Sequence, residues 1–220
     1  MRLTPELIVR AYAGGVFPMA ESAESDEVHW FEPRQRGVLP LDGFHVSRSL
    51  GKTRRQGGFT FSCDRDFAGV LAACADRPAT WINPEIARVF TELHGLGLAH
   101  SVEVWTSDGA LAGGVYGLAL GGAFFAESMV SRVTGGSKMA LAELVARLRG
   151  AGFALLDTQY LTPHLATLGG IEISRAVYRT RLAEALERTP RLAFVPQNPE
   201  AGDGAFWQPA KGIGGSAGGR

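Results

Sequence analysis

The fold is decided by residues 111–160, which read LAGGVYGLALGGAFFAESMVSRVTGGSKMALAELVARLRGAGFALLDTQY. Two apolar runs, Leu111–Leu120 and Ala123–Met129, are separated only by a pair of glycines at 121 and 122. Such a pair can supply the positive φ of a tight hairpin turn. The two runs are therefore predicted to be neighbouring antiparallel strands.

A helix is predicted over Ser137–Gly150, because apolar residues recur there at helical spacing and glycines at 150 and 152 mark its end. Phe153–Asp157 then has the composition of a buried strand. The order strand, helix, strand predicts that residues 123–157 form a parallel unit with a crossover helix.

Polar side chains interrupt these apolar strands at one edge of the predicted unit. Glu127 lies near the end of the first strand, and Asp157 and Gln159 lie at the end of the second. Residues two apart on an extended strand face the same way, and ligands favour the crevice outside the carboxyl ends of parallel strands. The pattern therefore predicts a functional site; the alternative is that Glu127 and Asp157 only cap the segments that follow.

Composition limits the kind of protein. A chain of 220 residues, 45% hydrophobic and 20% charged, is typical of a globular protein with one sizeable core and a small extra lobe. No apolar run approaches the roughly 20 residues that a membrane span needs, and the first residues do not resemble a signal peptide. Cys63 and Cys74 lack the spacing of a metal site, so we expect buried free thiols in a cytoplasmic protein without a metal.

The formal net charge is zero, but the charges are unevenly distributed. Residues 1–33 are acidic, whereas residues 34–55 carry six basic side chains against Asp42 alone. This basic cluster either contacts phosphates or forms a solvated loop. Its basic members are Arg34, Arg36, Arg48, Lys52, Arg54 and Arg55.

Common catalytic motifs are absent from the sequence: it has no G-x-S-x-G elbow, no HExxH and no complete phosphate loop. Residues 132–137, RVTGGS, approach the R-x-x-G-x-G/A turn that holds the pyrophosphate of acetyl-coenzyme A in acetyltransferases. The backbone amides of such a helix start can bind an anion. The last residue is Ser rather than Gly or Ala, so the motif supports the fold more than the cofactor.

A series of motifs resembles the leucyl/phenylalanyl-tRNA–protein transferase family over roughly residues 4–195. In order along the chain they are AYAGGVFP (11–18), HVSRS (45–49), TWIN (80–83), HSVEVW (100–105), GGVYG (113–117), FFAESMVSR (124–132), SKMAL (137–141), LLDTQ (155–159) and HLATLGG (164–170). The resemblance implies an enzyme that moves Leu, Phe or Met from charged tRNA to the N-terminal amine of proteins beginning with Arg or Lys, marking them for degradation.

The resemblance also implies an α+β fold with an acetyltransferase-like (GNAT-type) mixed sheet flanked by helices. It divides the chain into a small N-terminal lobe, residues 1–36, and a catalytic domain, residues 37–195. Residues 196–220 are rich in glycine and lack periodicity, so we expect a flexible tail there. The expected protein is a cytoplasmic monomer that binds no membrane and needs no cofactor, because the tRNA ester takes the place of acetyl-coenzyme A.

The resemblance assigns roles to individual residues. Asp157 is expected to orient Gln159, which lies beside the attacking amine, and both Glu127 and Asp157 are expected to attract the cationic side chain of the acceptor. Trp81 corresponds to an aromatic residue that contacts the terminal adenosine, and Met19 stands where many members carry Trp. The basic residues expected to face the tRNA are Arg48, Lys52, Arg54 and Arg55. The expected aminoacyl side-chain pocket consists of Val115, Phe124, Met129, Leu141, Leu144 and Leu156, which could equally be core residues.

Two other functions fit the same residues. One is a coenzyme-A-dependent N-acetyltransferase, and the other is a module that binds tRNA or peptide without chemistry. The intact Asp157, Thr158 and Gln159 together with Glu127 argue against the binding module.

Overall fold

The structure is a computed structural model that describes residues 2–191 and 193–194. Its strands are β1 Phe17–Ala20, β2 Val28–Phe31, β3 Gln35–Val38, β4 Phe59–Cys63, β5 Ala99–Thr106, β6 Leu111–Leu120, β7 Ala123–Ser131, β8 Leu155–Gln159 and β9 Ile171–Ser174. Its α-helices are α1 Pro5–Ala13, α2 Arg48–Arg55, α3 Phe67–Ala75, α4 Pro84–Gly95, α5 Gly136–Ala151, α6 Pro163–Thr167 and α7 Arg175–Leu186. A short 3-10 turn covers Leu41–Gly43.

In the described part of the chain, seven strands form one mixed sheet in the order β4-β5-β6-β7-β8-β3-β9. Only β7 and β8 are parallel; the other neighbouring strands run antiparallel. Two buried apolar clusters cover the faces of the sheet, one contributed mainly by α1, α3, α4 and α7 and the other by α2, α5 and α6. This arrangement confirms the predicted α+β class with a mixed sheet flanked by helices.

The crossover unit forms as predicted from the glycines between the strands and at the end of the helix. Gly121 has a φ of 51° in the turn between β6 and β7, and Gly152 ends α5 with a φ of 88°. The following strand begins at Leu155 rather than at Phe153. The reason is that the N–H of Phe153 still bonds to the carbonyl of Leu148 in the helix, so this residue belongs to the helix end.

Several short elements did not follow from the sequence. Strands β1 and β2 form a separate two-stranded sheet on either side of the acidic loop, and β9 extends the main sheet beyond β3. The second part of the basic stretch is a helix, α2 (Arg48–Arg55), whose N-cap Ser47 accepts the N–H of Leu50.

Within the described residues, no helix has the length and apolar character needed to cross a bilayer. The predicted tail, residues 196–220, lies outside the part of the chain that the structure describes.

Candidate active site

A cavity lies where β7 and β8 separate. The two strands pair only from Ala123 to Phe125 and from Leu155 to Asp157. Beyond these pairs, a cavity of about 270 Å³ lies between residues 126–129 and residues 158–160. Its other wall residues are Phe17, Pro18, Met19, Arg77, Trp81, Leu141, Thr162 and Leu165. The ends of β7 and β8, where the sequence predicted a functional site, therefore border an open crevice.

Glu127 is a bulge residue in β7. Tyr116 pairs with Ser128 and Gly117 pairs with Ala126, so Glu127 has no partner across the strand. A bulge of this kind re-aims side chains. Here it leaves Glu127 half-buried on the cavity wall, near the phenol groups of Tyr12 and Tyr116.

The Glu127 carboxyl has an unusual acidity. Burial raises its pKa to about 8; the negative charge of Asp157 adds to this shift, whereas Tyr12 and Arg36 oppose it. A carboxyl group with this pKa exchanges its proton near neutral pH, as acid–base groups in enzymes do.

Gln159 meets Glu127 across the crevice. Its side-chain Nε2 donates a hydrogen bond of 3.3 Å to Oε1 of Glu127. Its backbone has a φ of 57°, a left-handed conformation that is uncommon for a residue other than glycine. The pairing of β3 with β8 also shifts here, because Gly37 pairs with Gln159 and Val38 with Asp157, which leaves Thr158 as an extra residue.

Asp157 lies behind this pair rather than on the cavity wall. It is completely buried, and its carboxylate accepts Nε and Nη2 of Arg36 at 2.9 and 2.7 Å and the hydroxyl of Tyr178 at 2.6 Å. The backbone N–H of Gln159 completes the set at 2.8 Å. The expectation that Asp157 and Gln159 face the same way along an extended strand is therefore corrected: only Gln159 reaches the cavity, because the strand turns out of its extended conformation at this residue.

The apolar residues predicted for a side-chain pocket divide into two groups. Met129 and Leu141 line the cavity, together with Leu165. The other four do not reach its wall and lie in the buried cluster behind Leu141. These four are Val115, Phe124, Leu144 and Leu156, each at most 1% exposed. Strand and helix periodicity could not separate the groups, because wall and core residues are equally apolar.

An aromatic side of the cavity comes from the N-terminal part of the chain. Trp81 lines the cavity, with Phe17 and Met19 of β1. Phe17 packs edge-on against Tyr160, another wall residue, with ring centroids 5.7 Å apart. Tyr160 is 43% exposed, and no sequence pattern marked it as a site residue because it follows the predicted strand.

Arg77 and Thr158 also line the cavity; the sequence pointed to Thr158 only as part of the run with Asp157 and Gln159, and not to Arg77. Arg77 follows α3 and donates from Nη2 to the carbonyl oxygen of Met129 at 2.7 Å, which ties the loop before α4 to the wall of the crevice. The hydroxyl oxygen of Thr158 is buried and has no hydrogen-bond partner among the described residues.

The basic helix α2 lies apart from the cavity. Arg48, Lys52 and Arg55 are exposed on it and do not line the cavity. Arg54 is half-buried, with its guanidinium 5.2 Å from the ring centre of Phe61. The four basic residues thus share one short helix, and three of them face solvent.

The two cysteines are buried, and burial raises the pKa of both thiols to about 11. At neutral pH they are therefore protonated and are not nucleophiles. Among residues 2–191 and 193–194, no group of three or more His, Cys, Asp or Glu side chains is arranged to hold a metal ion.

Comparison with known proteins gives the family. The model of the leucyl/phenylalanyl-tRNA protein transferase family matches residues 38–183, and the model of its N-terminal domain matches residues 1–34. The chain belongs to this family. The leucyl/phenylalanyl-tRNA–protein transferase of Ruegeria sp. (strain TM1040) is 60% identical over 188 residues, which cover 86% of this chain and 89% of the relative.

Other leucyl/phenylalanyl-tRNA–protein transferases are equally similar. The protein of Cereibacter sphaeroides (strain ATCC 17025) is 61% identical over 198 residues, or 90% of this chain and 92% of the relative. A solved structure of L-PGS from Bacillus licheniformis has a TM-score of 0.46 and 11% identity, covering 83% of this chain and 70% of that one.

Proposed function

We propose that the chain transfers leucine, phenylalanine or methionine from charged tRNA to the N-terminal amine of proteins that begin with Arg or Lys, and so marks them for degradation. Transfer between leucyl- or phenylalanyl-tRNA and protein is the activity that the family and its relatives are named for. The observation that supports this site best is the hydrogen bond between Gln159 and Glu127, at an open crevice with an apolar wall.

The reaction needs little activation by the protein. The neutral amine attacks the ester carbonyl carbon, the C–N bond forms, and the C–O bond to the ribose breaks. The proton that the amine loses ends on the released ribose oxygen. Because the ester is already activated, catalysis consists mainly of holding the amine against the carbonyl. Gln159 is suited to this task. The oxygen of its side-chain amide can accept a hydrogen bond from the amine and relay a proton, while the amide nitrogen donates a hydrogen bond to Glu127.

Glu127 is the proposed recognition group for the cationic acceptor. Its raised pKa of about 8 keeps most of the carboxyl protonated in the empty cavity at pH 7. An approaching Arg or Lys side chain favours the ionised form and lowers that pKa. Binding of the acceptor is therefore coupled to release of a proton from Glu127, within reach of the amine.

The apolar wall is the proposed site for the side chain of the amino acid that is transferred. Met129 and Leu141 contact the ligand directly, and Val115, Phe124, Leu144 and Leu156 support the wall from the core. An apolar site distinguishes ligands that differ by one methylene by only about 1–3 kcal/mol. Tolerance of leucine, phenylalanine and methionine is the physical consequence.

The tRNA is proposed to approach along the aromatic side. Trp81 stacks on the terminal adenosine, and the exposed charges of α2 contact phosphates further along the acceptor stem. The basic residues in this role are Arg48, Lys52, Arg54 and Arg55. Contacts of this kind position the nucleic acid without reading its sequence.

We propose further that the fold is of the acetyltransferase (GNAT) type, with a lobe formed by residues 1–36 and a catalytic domain formed by residues 37–195. The parallel pair β7–β8, which separates at the site, and the boundary between the two family models at residues 34–38 support this division. The protein is proposed to act as a cytoplasmic monomer without a cofactor, because the charged tRNA supplies the activated acyl group.

The decisive experiment is transfer of labelled leucine from charged tRNA to a peptide that begins with Arg. A peptide that differs only in beginning with Ala is the control acceptor, and acetyl-coenzyme A is offered as an alternative donor. Transfer to the Arg peptide alone supports the proposal. Acetylation from acetyl-coenzyme A supports the rival acetyltransferase, and tRNA binding without transfer supports a binding module; either result contradicts the proposal.

The role of Gln159 has its own test. Gln159→Ala is expected to lower the single-turnover rate by at least about 100-fold, the usual size of a proton-transfer contribution, with little change in tRNA affinity. Equal single-turnover rates for this variant and the wild type would contradict the assignment.

A further inference from the structure

A buried network behind the cavity connects the N-terminal elements to the catalytic strand. Arg36 of β3 is 1% exposed, and its Nη1 donates to the carbonyl of Gly15 at 3.0 Å while Nε and Nη2 bind Asp157. The guanidinium lies between two rings, 4.5 Å from the centre of Phe17 and 4.4 Å from that of Tyr178. Arginine held in this way has a single orientation.

Asp157 receives hydrogen bonds from four donors in this network. Two come from Arg36, one from the hydroxyl of Tyr178, and one from the backbone N–H of Gln159. Hydrogen bonds to a charged acceptor are stronger than neutral ones, and here they are shielded from water. The first three fix the carboxylate, and the fourth fixes the backbone of Gln159.

The backbone of Gln159 needs such a constraint. Its φ of 57° is disfavoured for a residue with a side chain, and the conformation persists only where surrounding structure enforces it. If the peptide relaxed, the side-chain amide would turn away from Glu127, to which it is joined by one hydrogen bond of 3.3 Å.

We propose that Arg36 and Tyr178 are positioning residues for aminoacyl transfer: they lock Asp157, which holds Gln159 in the left-handed conformation that presents its amide to the acceptor amine. This inference rests on the proposed function. It predicts that both residues affect the chemical step through Asp157, without touching either substrate. Neither side chain lines the cavity, so neither is expected to change substrate affinity.

The test is a double-mutant cycle in the full chain, measured as the single-turnover rate of leucine transfer and the KM for charged tRNA. Tyr178→Phe removes one hydrogen bond to Asp157 and keeps the ring over Arg36. Its rate is expected to fall about tenfold, the usual effect of one hydrogen bond to a charged group, with KM within about twofold of the wild type. Asp157→Asn is expected to lower the rate further.

Non-additivity is the outcome that distinguishes positioning from general stability. If Tyr178 acts through Asp157, adding Tyr178→Phe to Asp157→Asn costs no further rate. A further tenfold loss in the double variant would overturn the proposal. If Asp157→Asn does not fold, Gln159→Ala replaces it in the cycle: Tyr178 acts on Gln159 through Asp157, so adding Tyr178→Phe to Gln159→Ala should also cost no further rate.

A matched control comes from the same helix as Tyr178. Leu182→Val loses buried apolar contact on α7 without reaching Asp157, so it lowers thermal stability but is expected to keep the transfer rate within about twofold. A loss of rate equal to that of Tyr178→Phe would overturn the positioning role. If the wild type transfers no leucine, the proposed function fails and this inference with it. If the wild type transfers and Tyr178→Phe is unaffected, this inference alone fails.

Discussion

Replacing Glu127 by Gln should change how the stability of the protein depends on pH. Burial raises the pKa of the carboxyl from 4.5 to about 8 in the folded chain. Between these two values the unfolded chain releases the proton while the folded chain keeps it. Because the unfolded state then binds fewer protons, the free energy of unfolding falls as pH rises. The contribution of Glu127 is complete below pH 4.5 and is lost as pH rises through 8.

The size of the effect follows from the shift. Each pH unit between the two pKa values is worth about 1.4 kcal/mol, so the full window corresponds to an upper limit of about 5 kcal/mol. Glu127 is only half-buried and its cavity is open to water, which reduces the effective value to about 1–3 kcal/mol. Gln has the same shape and does not titrate in this range, so Glu127→Gln removes the contribution of this carboxyl to the pH dependence of stability.

Urea unfolding at pH 5, 6, 7 and 8.5 measures this difference. The free energy of unfolding of Glu127→Gln, minus that of the wild type, should rise by about 1–3 kcal/mol between pH 5 and pH 8.5. Glu184→Gln, an exposed carboxylate on α7, is the matched control and should show a much smaller change. Parallel pH profiles for the wild type and Glu127→Gln would refute the reasoning that the cavity wall holds a protonated carboxyl.

Three further predictions concern the aromatic side of the cavity, the basic helix α2 and the contact between Gly37 and Tyr160. Trp81→Ala should weaken binding of charged tRNA by about 1–3 kcal/mol in a filter-binding assay, whereas Trp81→Phe should retain most of the affinity; equal affinities for both would remove the stacking role. Reversing the charges of Arg48 and Arg55 to Glu should lower tRNA affinity and flatten its dependence on salt, and an unchanged salt slope would exclude α2 from the interface. Gly37→Ala places a Cβ in a clash with the backbone carbonyl of Tyr160, so it should destabilise the fold by about 1–3 kcal/mol in thermal unfolding; an unchanged melting temperature would contradict this close approach.

Local signals were sufficient to predict the crossover unit. The glycines at 121 and 152 mark the turn and the helix end, and the apolar periodicity of α5 lies between them. The presence of polar side chains at the ends of two parallel strands then predicted that Glu127 and Gln159 lie near each other, and a hydrogen bond of 3.3 Å joins them in the structure. These features depend on residues close in sequence, which is why the pattern alone revealed them.

Features that depend on distant residues could not be predicted. Arg36 appeared as one member of a basic cluster, yet it is buried against Asp157, which is 121 residues away. Strand β3 reaches this position because it inserts between β8 and β9, a non-local pairing that leaves no periodic trace in the sequence. The left-handed backbone of Gln159 is equally invisible, because glutamine rarely adopts it.

The bulge in β7 has a consequence for how such a site can arise. Glu127 takes no part in the pairing of β6 with β7. On one side of it the pairs run from Gly113–Ser131 to Tyr116–Ser128, and on the other side they run from Gly117–Ala126 to Leu120–Ala123. A chain without this residue could close the same ladder as a regular hairpin and would lose only the carboxylate. The carboxylate is thus a one-residue insertion in an otherwise self-sufficient scaffold, so this side chain can be gained or lost by a single codon without redesigning the sheet.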